Sequence, residues 1–213
     1  MAIHLDHLVI AARDLAEGAA WLEARLGVPM SGGGKHEAMG THNRLLSLGP
    51  GRYVEVIAID PEAAAPPRPR WFDLDSATMQ VRLARGPALV TWAVRSDDIA
   101  ATVGLLAGGL DILPMTRGAY RWRISVPPSG ALPQAGTTPT VLQWETDHPT
   151  AALPEAGCRL EKLLLQHRNA AAMLSALQAG GMEAGEPVEA RDRASEGLIA
   201  RIRTPRGIAE IRG

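Results

Sequence analysis

Apolar positions along this chain follow two alternating rhythms. The stretch IHLDHLVIAA, beginning at Ile3, is short and dense in Leu, Val and Ile, which predicts a strand. It runs into DLAEGAAWLEARLG, where Asp14 is placed as an N-cap and Leu15, Ala19, Leu22 and Leu26 share one helical face. Gly27 then closes the helix. After a glycine-rich passage, NRLLSLG and RYVEVIAID read as two strands joined by a turn at Pro50-Gly51.

The same order recurs twice. ALVTWAVRS precedes the capped helix DDIAATVGLLAGG, and DILPMTR, YRWRISVP and TPTVLQWET follow as strands. A third pass runs through CRLEKLLLQ, the helix RNAAAMLSALQAGG, PVEARD, GLIARIRTP and GIAEIRG. LDHLVIAARDL aligns with VTWAVRSDDI and LEKLLLQHRN, and GRYVEVIA aligns with PTVLQWET and RGIAEIRG. The expectation is an α+β fold of three βαβββ units, at residues 1–60, 88–147 and 158–213. Connectors at 61–87 and 148–157 separate them; the first, EAAAPPRPRWFDLDSA, is proline-rich and leads into a short helix.

Composition narrows the class. With 46% hydrophobic and 21% charged residues and a net charge of -1, the chain offers no basic face for nucleic acid. A single cysteine, Cys158, allows no internal disulfide and fits a reducing cytosol. His4, Asp6 and His7 interrupt the first apolar run, so it does not read as a signal peptide. No stretch approaches the ~18 apolar residues of a membrane span. A soluble, cytoplasmic protein is expected.

Two polar residues break the apolar pattern. His7 lies inside the first strand, where a neutral imidazole is either a satisfied core group or a metal or substrate ligand. Glu55 alternates with Val54 and Val56 in VEVIA and shares a face with Tyr53 and Ile57. An unpaired carboxylate buried there costs several kcal/mol, roughly, so Glu55 either meets a ligand or pairs with Arg44 or His7. His36 and His42 lie six residues apart in KHEAMGTHNRL and share a face if that segment is extended. The Gly32-Gly33-Gly34 run lacks phosphate-loop spacing and reads as a bend or rim. Trp92, Trp122 and Trp144 read as core or as the wall of an apolar pocket. His4 points away from His7, and His148 and His167 read as surface groups. Ser47, Ser125 and Cys158 have no base in a context that would make them nucleophiles.

LDHLVIAARDL, the following GG and His, GTHNRLLSLGPGRYVEVIAID, LVTWAVRSDDI and VLQWETDHP together resemble the glyoxalase-like domains of the vicinal oxygen chelate superfamily. The resemblance covers roughly residues 3–150. It implies two units curled into a cup around a divalent metal (Zn, Ni, Mn or Fe), with ligands from the first and last strand of each unit. Those positions hold His7 and Glu55 in the first unit, Thr91 and Gln143 in the second, and Lys162 and Glu210 in the third. Thr and Gln are weak donors and Lys is none, so the resemblance implies a site of His7, Glu55 and His42 completed by water. Glu55 and His42 would then move protons, with His36, Asn43, Arg44, Thr91 and Gln143 as substrate contacts. The activity implied is that of a metal-dependent lyase, isomerase or dioxygenase on a small oxygenated substrate. The alternative is a metal-free binding protein, like antibiotic-sequestering relatives. The leftover third unit is expected to cover a sheet edge or to pair with its copy in a homodimer.

Overall fold

The computed structural model describes residues 1–106, 109–194 and 196–213. The first unit is β1 (Ile3–Ala11), α1 (Leu15–Leu26), β2 (Ser31–His36), β3 (Thr41–Ser47) and β4 (Tyr53–Ile59). A connector carries a single turn at Trp71–Asp73 and then α2 (Ala77–Leu83). The second unit is β5 (Ala88–Ser96), α3 (Ile99–Leu105), β6 (Asp111–Arg117), β7 (Tyr120–Val126) and β8 (Thr140–Trp144). The third is β9 (Arg159–Gln166), α4 (Ala170–Ala179), β10 (Val188–Arg191), β11 (Gly197–Thr204) and β12 (Gly207–Arg212). Positions 107–108, at the expected end of the second helix, lie outside the described residues.

Local chemistry starts the two helices alike. Asp14 accepts from the Glu17 N–H and Asp98 from the Ala101 N–H, each satisfying a donor that the first helical turn leaves open. Gly27 ends α1 at φ 73°, a left-handed conformation that other residues adopt reluctantly.

The first two units form one eight-stranded sheet in the order β2-β3-β4-β1-β5-β8-β7-β6. β4 returns parallel to β1, β8 returns parallel to β5, and β1 meets β5 antiparallel with His7 opposite Ala93 and Val9 opposite Thr91. That pairing is symmetric, since each partner lies two residues beyond the other strand's counterpart. The sheet curls until its two edges meet: a Cβ on Gly34 of β2 would stand 3.0 Å from Arg117 Cγ at the end of β6.

Both faces of this sheet are covered, which is why β1 reads as an almost unbroken apolar run rather than an alternating one. Leu8, Ile10, Trp92 and Val94 pack on the convex face with Leu22 and Leu26 of α1 and with Leu163, Leu165, Ala200 and Ile202 of the third unit. Val9, Ala11, Ile57, Ala93 and Leu142 line the concave face. There they meet Trp71, Phe72, Leu74, Met79 and Leu83, so the connector fills the cup instead of merely linking two units.

The third unit keeps the order of elements but not the pairing. Its sheet runs β10-β9-β11-β12, with β10 parallel to β9 directly after the helix. It lies over the convex face of the large sheet, not across an edge, and it needs no second chain to bury its apolar side. No helix among the described residues is long and apolar enough to cross a membrane.

Candidate functional site

The cup is built on one irregularity in β1. The β1–β5 register shifts between Leu5 and His7, a bulge that leaves Asp6 unpaired and re-aims the side chains around it. Leu5 and Leu8 both join the convex core, while His7 faces the concave side beside Tyr53 and Glu55. The His7 ring stacks on Tyr53 at 4.5 Å between centroids.

Asp6 is wholly buried yet well connected. Its Oδ1 accepts from His7 Nδ1 at 2.6 Å, and its Oδ2 accepts from His148 Nε2 and Trp144 Nε1, each at 2.9 Å. Burial pushes the Asp6 carboxyl up, but the hydrogen bonds and charges of His148 and His7 outweigh it, and the group is held well below the usual carboxylate range. An ionised carboxylate only accepts, so His7 carries its proton on Nδ1 and presents Nε2 to the cup. There Nε2 stands 3.6 Å from Glu55 Oε2.

Asn43 holds the other side of Glu55. Its Oδ1 accepts from the Gly34 N–H at 2.9 Å, which fixes the amide orientation and sends Nδ2 toward Glu55 Oε1, at 2.5 Å, and His36 Nε2, at 3.4 Å. His36 therefore accepts at Nε2 and donates from Nδ1 to Thr41 Oγ1, at 3.1 Å. Burial, reinforced by the Arg117, His7 and His42 charges, lowers the His36 pKa to about 3, so this ring is neutral. Burial also raises the Tyr53 phenol well above its ordinary range, helped by the Asp6 and Glu55 charges.

Apolar and aromatic groups close the remaining walls. His7, His36, Tyr53, Glu55 and Arg117 share the cavity with Trp71, Phe72, Trp122, Ile124, Leu142 and Trp144. His36 sits edge-on to Trp71 and Trp122, with ring centroids at 5.1 and 6.0 Å. The space open to the centre of a water-sized sphere is about 20 Å³, room for roughly one water. Trp71 and Phe72 form the wall that the connector supplies, and Phe72 and Asp73 hold positive φ values of 59° and 60°. For a bulky residue that is a strained conformation.

The expected site residues separate into two groups. His7, Glu55, His36 and Asn43 converge. His42 and Arg44 do not: a turn at Glu37–Met39 and Gly40 interrupts the extension, pairing His36 with Thr41 and Lys35 with His42. His42 and Arg44 consequently line an open groove on the other face, beside Lys35 and the glycine run. Thr91 is buried in β5 and donates its hydroxyl to the Gly136 carbonyl at 3.0 Å. Gln143 points away from the cup: its Oε1 accepts from Ile99 N–H and Arg123, and its Nε2 donates to the Asp97 carbonyl. By strand pairing, Glu55 opposite Val9 corresponds to Thr140 opposite Ala93, three residues from the position that sequence similarity suggests. Lys162 and Glu210 sit in the second sheet, paired with Glu189 and Arg212. Asp6, Arg117, Trp71 and Phe72 were not anticipated, and His148, read as a surface group, is part of the site. His167, read likewise, is buried and accepts from the Asn169 N–H.

This donor set does not fit a resident ion held in the manner the resemblance implies. Among the described residues no three His, Cys, Asp or Glu side chains come together as ligands. His7 and Glu55 are two; both His36 nitrogens are engaged, and the second unit contributes a spent hydroxyl and apolar wall.

Fold and site together define a protein of the vicinal oxygen chelate type, two βαβββ units curled around a shared cup. A family model described as a glyoxalase-like domain matches residues 5–180, and the chain belongs to that family. Among solved structures, a hypothetical protein from Staphylococcus aureus aligns over 100% of this chain and 85% of its own, with TM-score 0.58 and 16% identity. Methylmalonyl-CoA epimerase from Mycobacterium tuberculosis covers 70% of this chain and 91% of its own, with TM-score 0.42 and 22% identity. A Streptomyces coelicolor methylmalonyl-CoA epimerase variant in complex with 2-nitronate-propionyl-CoA covers 70% and 99%, with TM-score 0.44 and 18% identity. These likenesses concern the fold alone. No curated protein matches the sequence.

Proposed function

We propose that the protein is a small-molecule enzyme that moves a proton within the closed cup, acting as an isomerase or lyase on a small oxygenated substrate. One observation carries this reading: His7 Nε2 and Glu55 Oε2 face each other at 3.6 Å on the cavity wall, with Asp6 fixing the His7 tautomer from behind. Two proton-carrying groups aimed at one desolvated space suit abstraction of a proton next to a carbonyl and its return to the same molecule.

Glu55 is the base in this reading. Asn43 holds one of its oxygens and leaves the other toward His7 and the cavity. His7 stabilises or returns the proton, and Asp6 stabilises the imidazolium formed in doing so, as an orienting carboxylate does in other His-dependent enzymes. The neutral Tyr53 phenol and the aromatic walls keep water out. The Trp71–Phe72 turn is the wall that moves when a substrate enters in this reading, because the space between the walls holds about one water.

The test is deuterium exchange. Small 2-oxo acids, 2-hydroxy acids and 1,2-dicarbonyls in D2O are incubated with the protein and followed by proton NMR. Enzyme-dependent loss of the C–H signal next to a carbonyl is expected, absent in Glu55→Gln and much reduced in His7→Gln. Exchange that survives Glu55→Gln would overturn the assignment of the base. Saturable binding without exchange in the wild-type protein would replace the enzyme by the metal-free binding protein.

A further inference from the structure

The cup contains more hydrogen-bond donors than the protein itself satisfies. Trp71 Nε1 and Trp122 Nε1 are buried with no acceptor in reach. Both residues line the cavity. Arg117 lines it too and is only 6% exposed. Among the described residues its guanidinium forms no ion pair and no hydrogen bond, only a stacking contact over the Tyr120 ring at 5.4 Å. Buried charges are ordinarily paired, and buried N–H groups ordinarily bonded. Two buried indole N–H groups without an acceptor and an unpaired guanidinium meeting in one small cavity point to a missing partner that accepts hydrogen bonds and carries negative charge.

We infer that the ligand of this cup is a small organic carboxylate, its charged group received by Arg117 and the indole N–H groups of Trp71 and Trp122. The guanidinium fork matches a carboxylate in two parallel hydrogen bonds. Glu55 and Arg117 line the same cavity without forming an ion pair, so a cationic donor stays free beside the His7–Glu55 pair. A carboxylate anchored on Arg117 leaves its neighbouring carbons in the same aromatic-walled cavity as His7 and Glu55. Gly34 belongs to the same design: with no Cβ, it leaves room for the Arg117 stem to pass toward the cup. This inference names the substrate class for the function proposed above and rests on the same cavity, but it does not require that Glu55 move a proton.

The experiment is a binding titration of the full chain, read by calorimetry and by tryptophan fluorescence, since two of the proposed donors are indoles. The probes are sodium acetate, 2-oxopropanoate and phenylacetate, the neutral acetamide and phenylacetamide, and inorganic phosphate. Saturable binding of at least one carboxylate is expected, with its amide weaker by about tenfold or more. Arg117→Met abolishes the preference for the acid, Arg117→Lys keeps part of it, and Glu55→Gln, which takes a like charge out of the same cavity, binds the carboxylate at least as tightly as wild type. That last variant separates the two ideas: deuterium exchange fails in it while anion binding persists. Equal affinity for acid and amide, binding unchanged in Arg117→Met, or binding of phosphate with no carboxylate bound would each overturn the inference. Thermal unfolding guards against a trivial loss. Arg117→Met without ligand is expected to melt no lower than wild type, because it removes a charge that no protein group neutralises. A collapse of its melting temperature would make the guanidinium a structural group and sink the inference by itself.

Discussion

Asp6 and His7 are neighbours in one strand, yet Asp6 Oδ1 accepts a 2.6 Å hydrogen bond from His7 Nδ1. Neighbours on a regular strand point to opposite faces, and the bulge between Leu5 and His7 is what brings the two together. The bond decides which His7 nitrogen faces the cup, and so which one can meet a ligand or Glu55.

Asp6→Asn tests that arrangement. The three donors from His7, His148 and Trp144 all converge on two carboxylate oxygens, and an amide presents an NH2 to at least one of them. A loss of about 3–5 kcal/mol in denaturant unfolding is expected, the range for breaking a buried charged network. The wild-type Asp6 pKa lies below its unfolded value, so its contribution is full above about pH 4 and fades as pH falls further. A variant within about 0.5 kcal/mol of wild type at neutral pH would show that the network contributes little to stability.

His36 gives a second pH dependence of its own. Its folded pKa of about 3 lies below the ordinary imidazole value of about 6.5. Between those values the unfolded chain binds a proton that the folded protein refuses. Stability from this group is therefore full above about pH 6.5 and falls toward pH 3, with a slope near 1.4 kcal/mol per pH unit. Unfolding curves of wild type and His36→Asn between pH 7 and pH 4 should converge as pH falls, differing by close to one proton in linkage. Parallel curves would mean that His36 titrates normally in the fold.

Gln143 separates a structural from a ligand-binding role. It caps α3 by accepting from the Ile99 N–H at 3.1 Å and ties Arg123 to the Asp97 backbone. Gln143→Ala should cost about 1–3 kcal/mol while leaving carboxylate affinity unchanged. Reduced affinity with unchanged stability would return this residue to the cup.

Much of the first unit was legible because its polar residues obey the strand period. Glu55 and Tyr53 were assigned to one face by alternation with Val54 and Val56, and they occupy it. His42 failed the same logic because the turn at Glu37–Met39 interrupts the extension between it and His36. Gln143 failed because VLQWE resembles RYVEV in residue type but is offset by three in strand pairing, which flips the face. Asp6 was invisible for the opposite reason: a bulge has no periodic signal, and an acidic residue in a strand reads as an interruption. Arg117 and Trp71 enter the cup from the edge strand and the connector, through sheet closure that no local pattern encodes. The third unit shared an order of elements with the others, and that order alone does not fix which strand pairs with which.

Metal content follows from the donor set. With no three ligating side chains gathered among the described residues and His7 and Glu55 as the pair facing the cup, purified protein should carry well below one divalent ion per chain, and a chelator should leave its melting temperature unchanged. Elemental analysis of wild type, His7→Ala and Glu55→Ala checks this. About one Zn, Ni, Mn or Fe per chain, lost in both variants, would restore the chelate mechanism and require substrate or water to supply the missing ligands.

The cup must open to work. Its cavity holds about one water, and the wall not built into the sheet is the Trp71–Phe72 turn. Phe72 and Asp73 sit at positive φ, and the turn is tied to the rest of the protein through the Asp73 N–H to the Gly130 carbonyl at 2.8 Å. Strain at Phe72 lowers the free energy needed to release it, by on the order of 1–3 kcal/mol. Amide hydrogen exchange should therefore find the Asp73 N–H opening locally, far faster than the amides of Val9 and Ile57 in the sheet centre. A bound carboxylate should slow Asp73 exchange and leave the sheet unchanged, because Trp71 would then hold the ligand as well as the lid. If Asp73 exchanges only as fast as the sheet, the cup opens only when the protein unfolds, and neither the proton-transfer reading nor the carboxylate assignment survives.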